Sequence, residues 1–124
     1  MKTLITAAAL GFMTATAALA DPVFGTWASP KSDAGASFQV TVQQCGSSIC
    51  GKITSIAGGA DPAIKGRDMV WNMAARGGGE YKGKIWAPDT DKTYNGKMNL
   101  SGNTLKMSGC ILGICRGENF SRVK

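Results

Sequence analysis

The chain has 124 residues, a formal charge of +6 and no histidine. Without an imidazole, Ser–His–Asp and Cys–His nucleophilic catalysis are excluded, and carboxylates are left as the plausible acid–base groups. The 14 Lys and Arg residues are spread along the chain rather than massed with aromatics, which is not the pattern of a nucleic-acid surface.

Residues 1–20 read as a secretory signal. Lys2 gives a basic start, residues 4–12 are apolar, and Ala18-Leu19-Ala20 places small residues at alternate positions. Cleavage is expected before Asp21. An uncleaved anchor is the alternative, but the apolar stretch is short for a span. Removing the first 20 of 124 residues leaves 104, and losing Lys2 takes the charge from +6 to +5. That length suits one modest domain over residues 21–124. No segment of it is apolar enough to cross a bilayer. The expected location is periplasmic or secreted.

Residues 23–29 form the first predicted strand. In residues 35–44, Phe38, Val40 and Val42 alternate with Gln39, Thr41 and Gln43. Residues 49–57 return as the hairpin partner. Breakers punctuate residues 58–78: Gly58-Gly59, Asp61-Pro62 and Gly77-Gly78-Gly79. The apolar run from Met69 to Met73 between them is either a short eighth strand or a helical turn. Strands follow at 79–87, 92–100, 104–109 and 115–123. Asn95-Gly96 is a strong hairpin dipeptide. Here Tyr94, Met98 and Leu100 share parity across it, and a turn would leave two stubs, so the strand runs through.

Turns at 88–91, 102–103 and 111–114 pair these last strands into one meander. Tyr81 then lies beside Met98, Met98 beside Met107, and Leu100 beside Leu105. Lys82, Lys84, Thr93, Asn95, Lys97, Asn99, Thr104, Lys106 and Ser108 fall on the other face. One apolar and one polar face is what a sheet curled around a core requires. The expected fold class is all-β, a small antiparallel up-and-down barrel of seven or eight strands.

Four cysteines repeat one spacing, in Cys45-Gly46-Ser47-Ser48-Ile49-Cys50 and in Cys110-Ile111-Leu112-Gly113-Ile114-Cys115. In an exported chain an even number argues for disulfides. The favoured pairs are Cys45–Cys50 and Cys110–Cys115, each closing a four-residue hairpin loop on the outer face. This register sets Val42 beside Ile53 and Leu105 beside Phe120. Loops so short contribute roughly 2 kcal/mol each by chain entropy; their role is to pin register. A four-Cys zinc site and a redox dithiol are the alternatives, and both usually show tighter spacing. No cofactor and no metal is expected.

The register also sets Gly83, Gly96 and Gly109 abreast on three strands, facing inward. Glycines there let a sheet coil tightly enough to close. They also leave a stripe of wall without side chains, where a ligand or Trp27 fits; the two readings are compatible. Arg116 and Glu118 share inward parity with Phe120 and Arg122. Either an edge or bulge turns them to water, or they anchor a ligand, with Tyr81 and Tyr94 adding hydroxyls. Met98 and Met107, with Met69 and Met73, make a soft wall that is either core or binding surface. If the barrel closes, Trp27 on the first strand meets Arg122 on the last, a cation–π latch of about 1–2 kcal/mol.

Gly25-Thr26-Trp27 on the first strand, with the late Arg122, resembles the lipocalin and calycin pattern. A longer resemblance is to a bacterial family of small exported proteins known as domain of unknown function 2147. It rests on Asp21-Pro22-Val23-Phe24-Gly25-Thr26-Trp27, on Cys45-Gly46 with Cys50-Gly51-Lys52-Ile53, and on Tyr81-Lys82-Gly83-Lys84-Ile85 before Pro88. Lys92-Thr93-Tyr94 and Phe120-Ser121-Arg122-Val123 complete it. Tyr81 and Phe120 stand where that family typically carries Trp, and Asp68 where Pro is usual. The resemblance implies a periplasmic, lipocalin-like barrel, with no activity and no catalytic residues to carry over.

Function follows as three expectations. The first is a non-catalytic binding module for a small apolar or amphipathic ligand. Its candidate residues are Gly83, Gly96, Gly109, Tyr81, Tyr94, Met98, Met107, Glu118 and Arg116. The second is an envelope scaffold with a filled barrel, meeting a partner through outward Trp86. The third, an enzyme, would draw on carboxylates such as Asp61, Asp68, Asp89, Asp91 and Glu118 and is set aside. The spread lysines allow weak contact with anionic envelope surfaces. Oligomeric state is not encoded legibly.

Overall fold

The computed structural model describes residues 21–124. The expected signal segment, residues 1–20, lies outside the described residues. Eight strands run in order: β1 (Gly25–Ala28), β2 (Ser37–Cys45), β3 (Ser48–Ala57), β4 (Asp68–Gly77), β5 (Glu80–Ala87), β6 (Lys92–Ser101), β7 (Thr104–Ile111) and β8 (Ile114–Arg122). Each pairs antiparallel with the next, and β1 meets β8 through Trp27↔Arg122 and Ala28↔Ser121, closing a barrel. Among the described residues the fold is all-β with one 3-10 turn, Pro62–Ile64, started by the Asp61 carboxylate accepting from the Ala63 amide.

The meander holds its predicted register. Tyr81, Met98 and Met107 lie abreast, Leu100 pairs with Leu105, and Leu105 with Phe120. Gly83, Gly96 and Gly109 also lie abreast. β6 runs unbroken through Asn95-Gly96.

Three expectations need correction. First, both disulfide hairpins turn in two residues, not four. Ile111 pairs with Ile114 around Leu112-Gly113, with Cys110 and Cys115 directly opposed. Cys45 pairs with Ser48 around Gly46-Ser47, and positive φ at Gly46 meets the demand of a type II′ turn. This slides β3 by two residues, so Val42 faces Gly51 and Val40 faces Ile53; Cys45 and Cys50 bond diagonally. Second, β1 begins at Gly25. The Asp21 carboxylate accepts from the Val23 amide, and Phe24 donates to the Asp21 carbonyl, so the opening residues turn instead of extending. Third, the eighth strand is ten residues long. Register shifts on both sides of β4 hid its alternation: against β5 between Trp71 and Ala74 and between Ala75 and Gly77, and against β3 between Ile49 and Gly51 and between Gly51 and Lys52.

The barrel is filled unevenly. Trp27, Val40, Val42, Ile53, Met73, Met98, Leu105 and Phe120 pack its lower half, where the chain termini and the β2–β3, β4–β5 and β6–β7 turns gather. The other end, bearing the β1–β2, β3–β4, β5–β6 and β7–β8 connections, opens to solvent.

Candidate functional site

The open end holds a cleft of about 1000 Å³. Phe38, Ile64, Met69, Ile85, Tyr94 and Met107 supply its apolar wall, and Phe120 reaches its floor. The ring of Phe38 meets that of Phe120 edge-on at 5.8 Å. These positions follow from strand parity: Phe38 continues the Val40 and Val42 face, and Ile85 the Tyr81 face. Ile64 arrives differently, carried in by the 3-10 turn that Asp61 and Pro62 start.

Arg116 and Glu118 stand on the same cleft, opposite Gly109 and Met107. β7 and β8 pair without a bulge, so nothing flips the two charges outward. They remain solvated because β1 covers only the last residues of β8 and leaves its upper part unpaired on that side. Among the described residues neither belongs to an ion pair; the two pairs present are Lys52–Asp68 and Lys97–Glu80, both on the outer wall. The cleft thus sets an apolar wall beside Arg116 and Glu118 on β8, with Lys31, Asp61 and Asp89 on the connections around it. Thr90 and Tyr94 hydroxyls share a hydrogen bond of 3.1 Å at its rim.

Of the nine candidate residues, Tyr94, Met107, Gly109, Arg116 and Glu118 line the cleft. Gly83, Gly96, Tyr81 and Met98 do not. At the β4 bulge, Asn72 and Met73 together oppose Gly83, and Asn72 adopts a φ of 54°. A Cβ on Gly83 would lie 2.6 Å from the Trp71 and Asn72 carbonyl oxygens. The same bulge sends Met73 across the barrel, where its Cε lies 2.9 Å from the Cβ position of Gly96. Two of the three glycines are therefore room for the protein's own backbone and Met73, and only Gly109 is room beside the cleft. Met98 is fully buried below it. Tyr81 points to the closed end, where its hydroxyl donates to the Asp21 carboxylate at 2.6 Å. Burial and that carboxylate push the phenol well above its ordinary range.

The closed end is tied by Arg122. Its guanidinium lies 4.3 Å over the Trp27 ring and donates to the carbonyls of Phe24 (3.1 Å) and Pro22 (2.7 Å) and to Asn103 Oδ1 (3.2 Å). Trp27 Nε1 donates to the Val23 carbonyl. Gly25 completes the arrangement. Its φ is 140°, and a Cβ there would lie 2.5 Å from the Lys124 carbonyl oxygen and 2.9 Å from Arg122.

Trp86 is not the exposed contact that its parity predicted. It is 5% exposed, donates to Asp91 Oδ1 at 2.9 Å, and is covered by the Arg67 guanidinium 3.8 Å above its ring. The β3–β4 connection folds over it. Residues that sequence reasoning missed are on such connections: Ser29, Pro30, Lys31, Ile64 and Thr90 shape the cleft mouth. The Asp61-Pro62 pair was the one available signal, as a cap and first residue of a helical turn. Among the described residues no three His, Cys, Asp or Glu side chains cluster to hold a metal ion, and no helix is long and apolar enough to cross a membrane.

A solved structure shares this architecture. HP1028 from the human pathogen Helicobacter pylori, described as belonging to the lipocalin family, superposes with a TM-score of 0.66 over 85% of each chain at 15% identity. At that identity the likeness is one of fold: a lipocalin-like barrel. Among curated proteins none matches. A family model described as "uncharacterized protein conserved in bacteria (DUF2147)" matches residues 25–122. The chain belongs to the DUF2147 family of bacterial proteins.

Proposed function

We propose that this protein is an exported, non-catalytic binding module that takes a small apolar or amphipathic ligand in the open end of its barrel. The observation that carries this reading is the cleft itself, apolar on the Phe38, Met69 and Ile85 side and charged along β8. A filled barrel of this size has no such space; a barrel with one end unfilled holds one small ligand. The two disulfides fit an oxidising compartment, the periplasm or the exterior. The same-fold neighbour, described as a lipocalin family member, supports the binding class without indicating a ligand.

Native mass spectrometry of the protein purified from periplasm tests this, with fluorescence titration of the neutral probe N-phenyl-1-naphthylamine. Expected are a co-purifying adduct or saturable probe binding, and loss of either in Glu118→Trp, where the indole fills the cleft from β8. If no adduct or probe binding appears, the protein is an envelope scaffold that works through its outer face.

A further inference from the structure

The β7–β8 hairpin ends in an apolar tip that the fold does not explain. Among the described residues four large apolar side chains are well exposed, and three of them are here: Ile111 (56%), Leu112 (97%) and Ile114 (67%). Leu112 and Gly113 form the two-residue turn, with φ of 52° and 82°. Positive φ at both positions is the type I′ requirement, which Asn-Gly meets at little strain. Leucine is strained there, and at this exposure its side chain gains no burial in return. The Cys110–Cys115 bond holds the two strands together directly beneath. The other disulfide hairpin, of identical spacing, ends in Gly46-Ser47 and exposes no large apolar side chain. Stapling a hairpin therefore does not require an oily tip.

The size of the tip selects its occupant. Three such side chains offer on the order of 300 Å² of apolar surface. A stable protein interface takes about 800 Å² from each partner. A two-residue turn also presents no groove or flat face to a second copy. A lipid bilayer asks for neither area nor shape complementarity. The charges around it are mixed, Lys31 and Arg116 against Asp61, Asp89 and Glu118, so the attraction here is apolar rather than cationic. We propose that the tip at Ile111, Leu112 and Ile114 inserts into the interfacial layer of a phospholipid bilayer, holding the protein weakly and reversibly at the membrane. The same three residues edge the cleft, so docking sets its mouth against the lipid. The proposal stands on the tip and does not require an occupied cleft.

Flotation of the oxidised protein with phosphatidylcholine vesicles, and with vesicles of phosphatidylethanolamine and phosphatidylglycerol, tests it. The wild type is expected to float with both, with little effect of salt. Leu112→Asn suits the turn, so it should keep or raise the melting temperature while binding falls about tenfold, the change expected for one apolar anchor. Glu118→Trp, which fills the cleft, should leave vesicle binding unchanged, separating this proposal from the ligand-binding reading. The proposal is overturned if the wild type floats with neither vesicle or if Leu112→Asn floats equally well. Binding only to anionic vesicles and only at low salt would also overturn it. So would a Leu112→Asn variant that dissociates a dimer without changing flotation, since that outcome assigns the tip to a second copy.

Discussion

Arg122 gathers four interactions in one side chain, which makes the closed end depend on it. Its loss removes the cation on Trp27, about 1–2 kcal/mol when desolvated, and leaves the half-buried Phe24 carbonyl without its donor. We expect Arg122→Ala to destabilise by about 2–3 kcal/mol, a fall of roughly 10 °C or more in a domain this small, measured by thermal unfolding at constant disulfide state. Arg122→Lys keeps a charge near the ring but lacks the fork that reaches both carbonyls, and should recover less than half of the loss. An unchanged melting temperature in Arg122→Ala would remove the latch. Tyr81 acts on the same end. Its phenol is raised above its ordinary value of about 10, so the folded protein keeps a proton that the unfolded chain releases. Stability from this group is fully present below about pH 10 and is lost as pH rises toward the folded value. Wild type should therefore lose more stability than Tyr81→Phe between pH 9 and pH 11 (on the order of one proton's linkage). At neutral pH Tyr81→Phe should cost about 1–2 kcal/mol for the Asp21 hydrogen bond. Parallel alkaline profiles of the two proteins would contradict this assignment.

At the scale of the strands, the glycine stripe gives a graded test. A methyl at Gly83 meets two carbonyl oxygens at 2.6 Å, at Gly96 a neighbouring backbone and Met73 at 2.8–2.9 Å, and at Gly109 only the Tyr94 ring at 3.2 Å. Backbone yields less than a side chain at the rim of a cleft. Gly83→Ala should cost about 3 kcal/mol, Gly96→Ala about 2, and Gly109→Ala under about 1, ranked by urea unfolding midpoints. Equal costs would mean that these glycines serve curvature alone. The stripe itself was legible because β5, β6 and β7 pair without a bulge, so counting by two fixes every neighbour. What fills it was not legible, because Asn72 and Met73 reach it through a bulge on β4 that breaks the count. The same limit explains the β2–β3 hairpin. Cys45 and Cys50 point to one face in either register, so their spacing did not distinguish a two-residue turn from a four-residue loop. Trp86 shows a third form of it: parity places a side chain on the outer face, but only tertiary packing brings Arg67 and the β3–β4 connection over it.

The whole molecule is polarised along the barrel axis, and the polarity decides which predicted residues belong to the site. Tyr81, Met98 and Met107 share one face, yet only Met107 reaches the cleft, since alternation reports face and not depth. Depth depends on how far Trp27, Met73 and Phe120 fill the lower half, a volume question that no local pattern answers. Arg116 and Glu118 were legible as inward charges, and they stand at different heights on β8, which in the proposed binding mode would give them different partners. Glu118 pairs with Met107 and sits nearer the floor, while Arg116 pairs with Gly109 and sits nearer the mouth. An alkyl chain laid on Phe38, Met69 and Ile85 would bring an anionic head to Arg116 and a cationic one to Glu118. Both groups are solvated, so each is worth only a two- to fivefold change in affinity. Arg116→Gln should weaken an alkyl carboxylate by that factor and leave neutral N-phenyl-1-naphthylamine unchanged. Glu118→Gln should strengthen the carboxylate and weaken an alkyl ammonium of equal chain length. Competition titrations with the three compounds read the outcome directly. If both variants shift all three affinities together, the charges shape the cleft without reading the head group, and the ligand is apolar throughout.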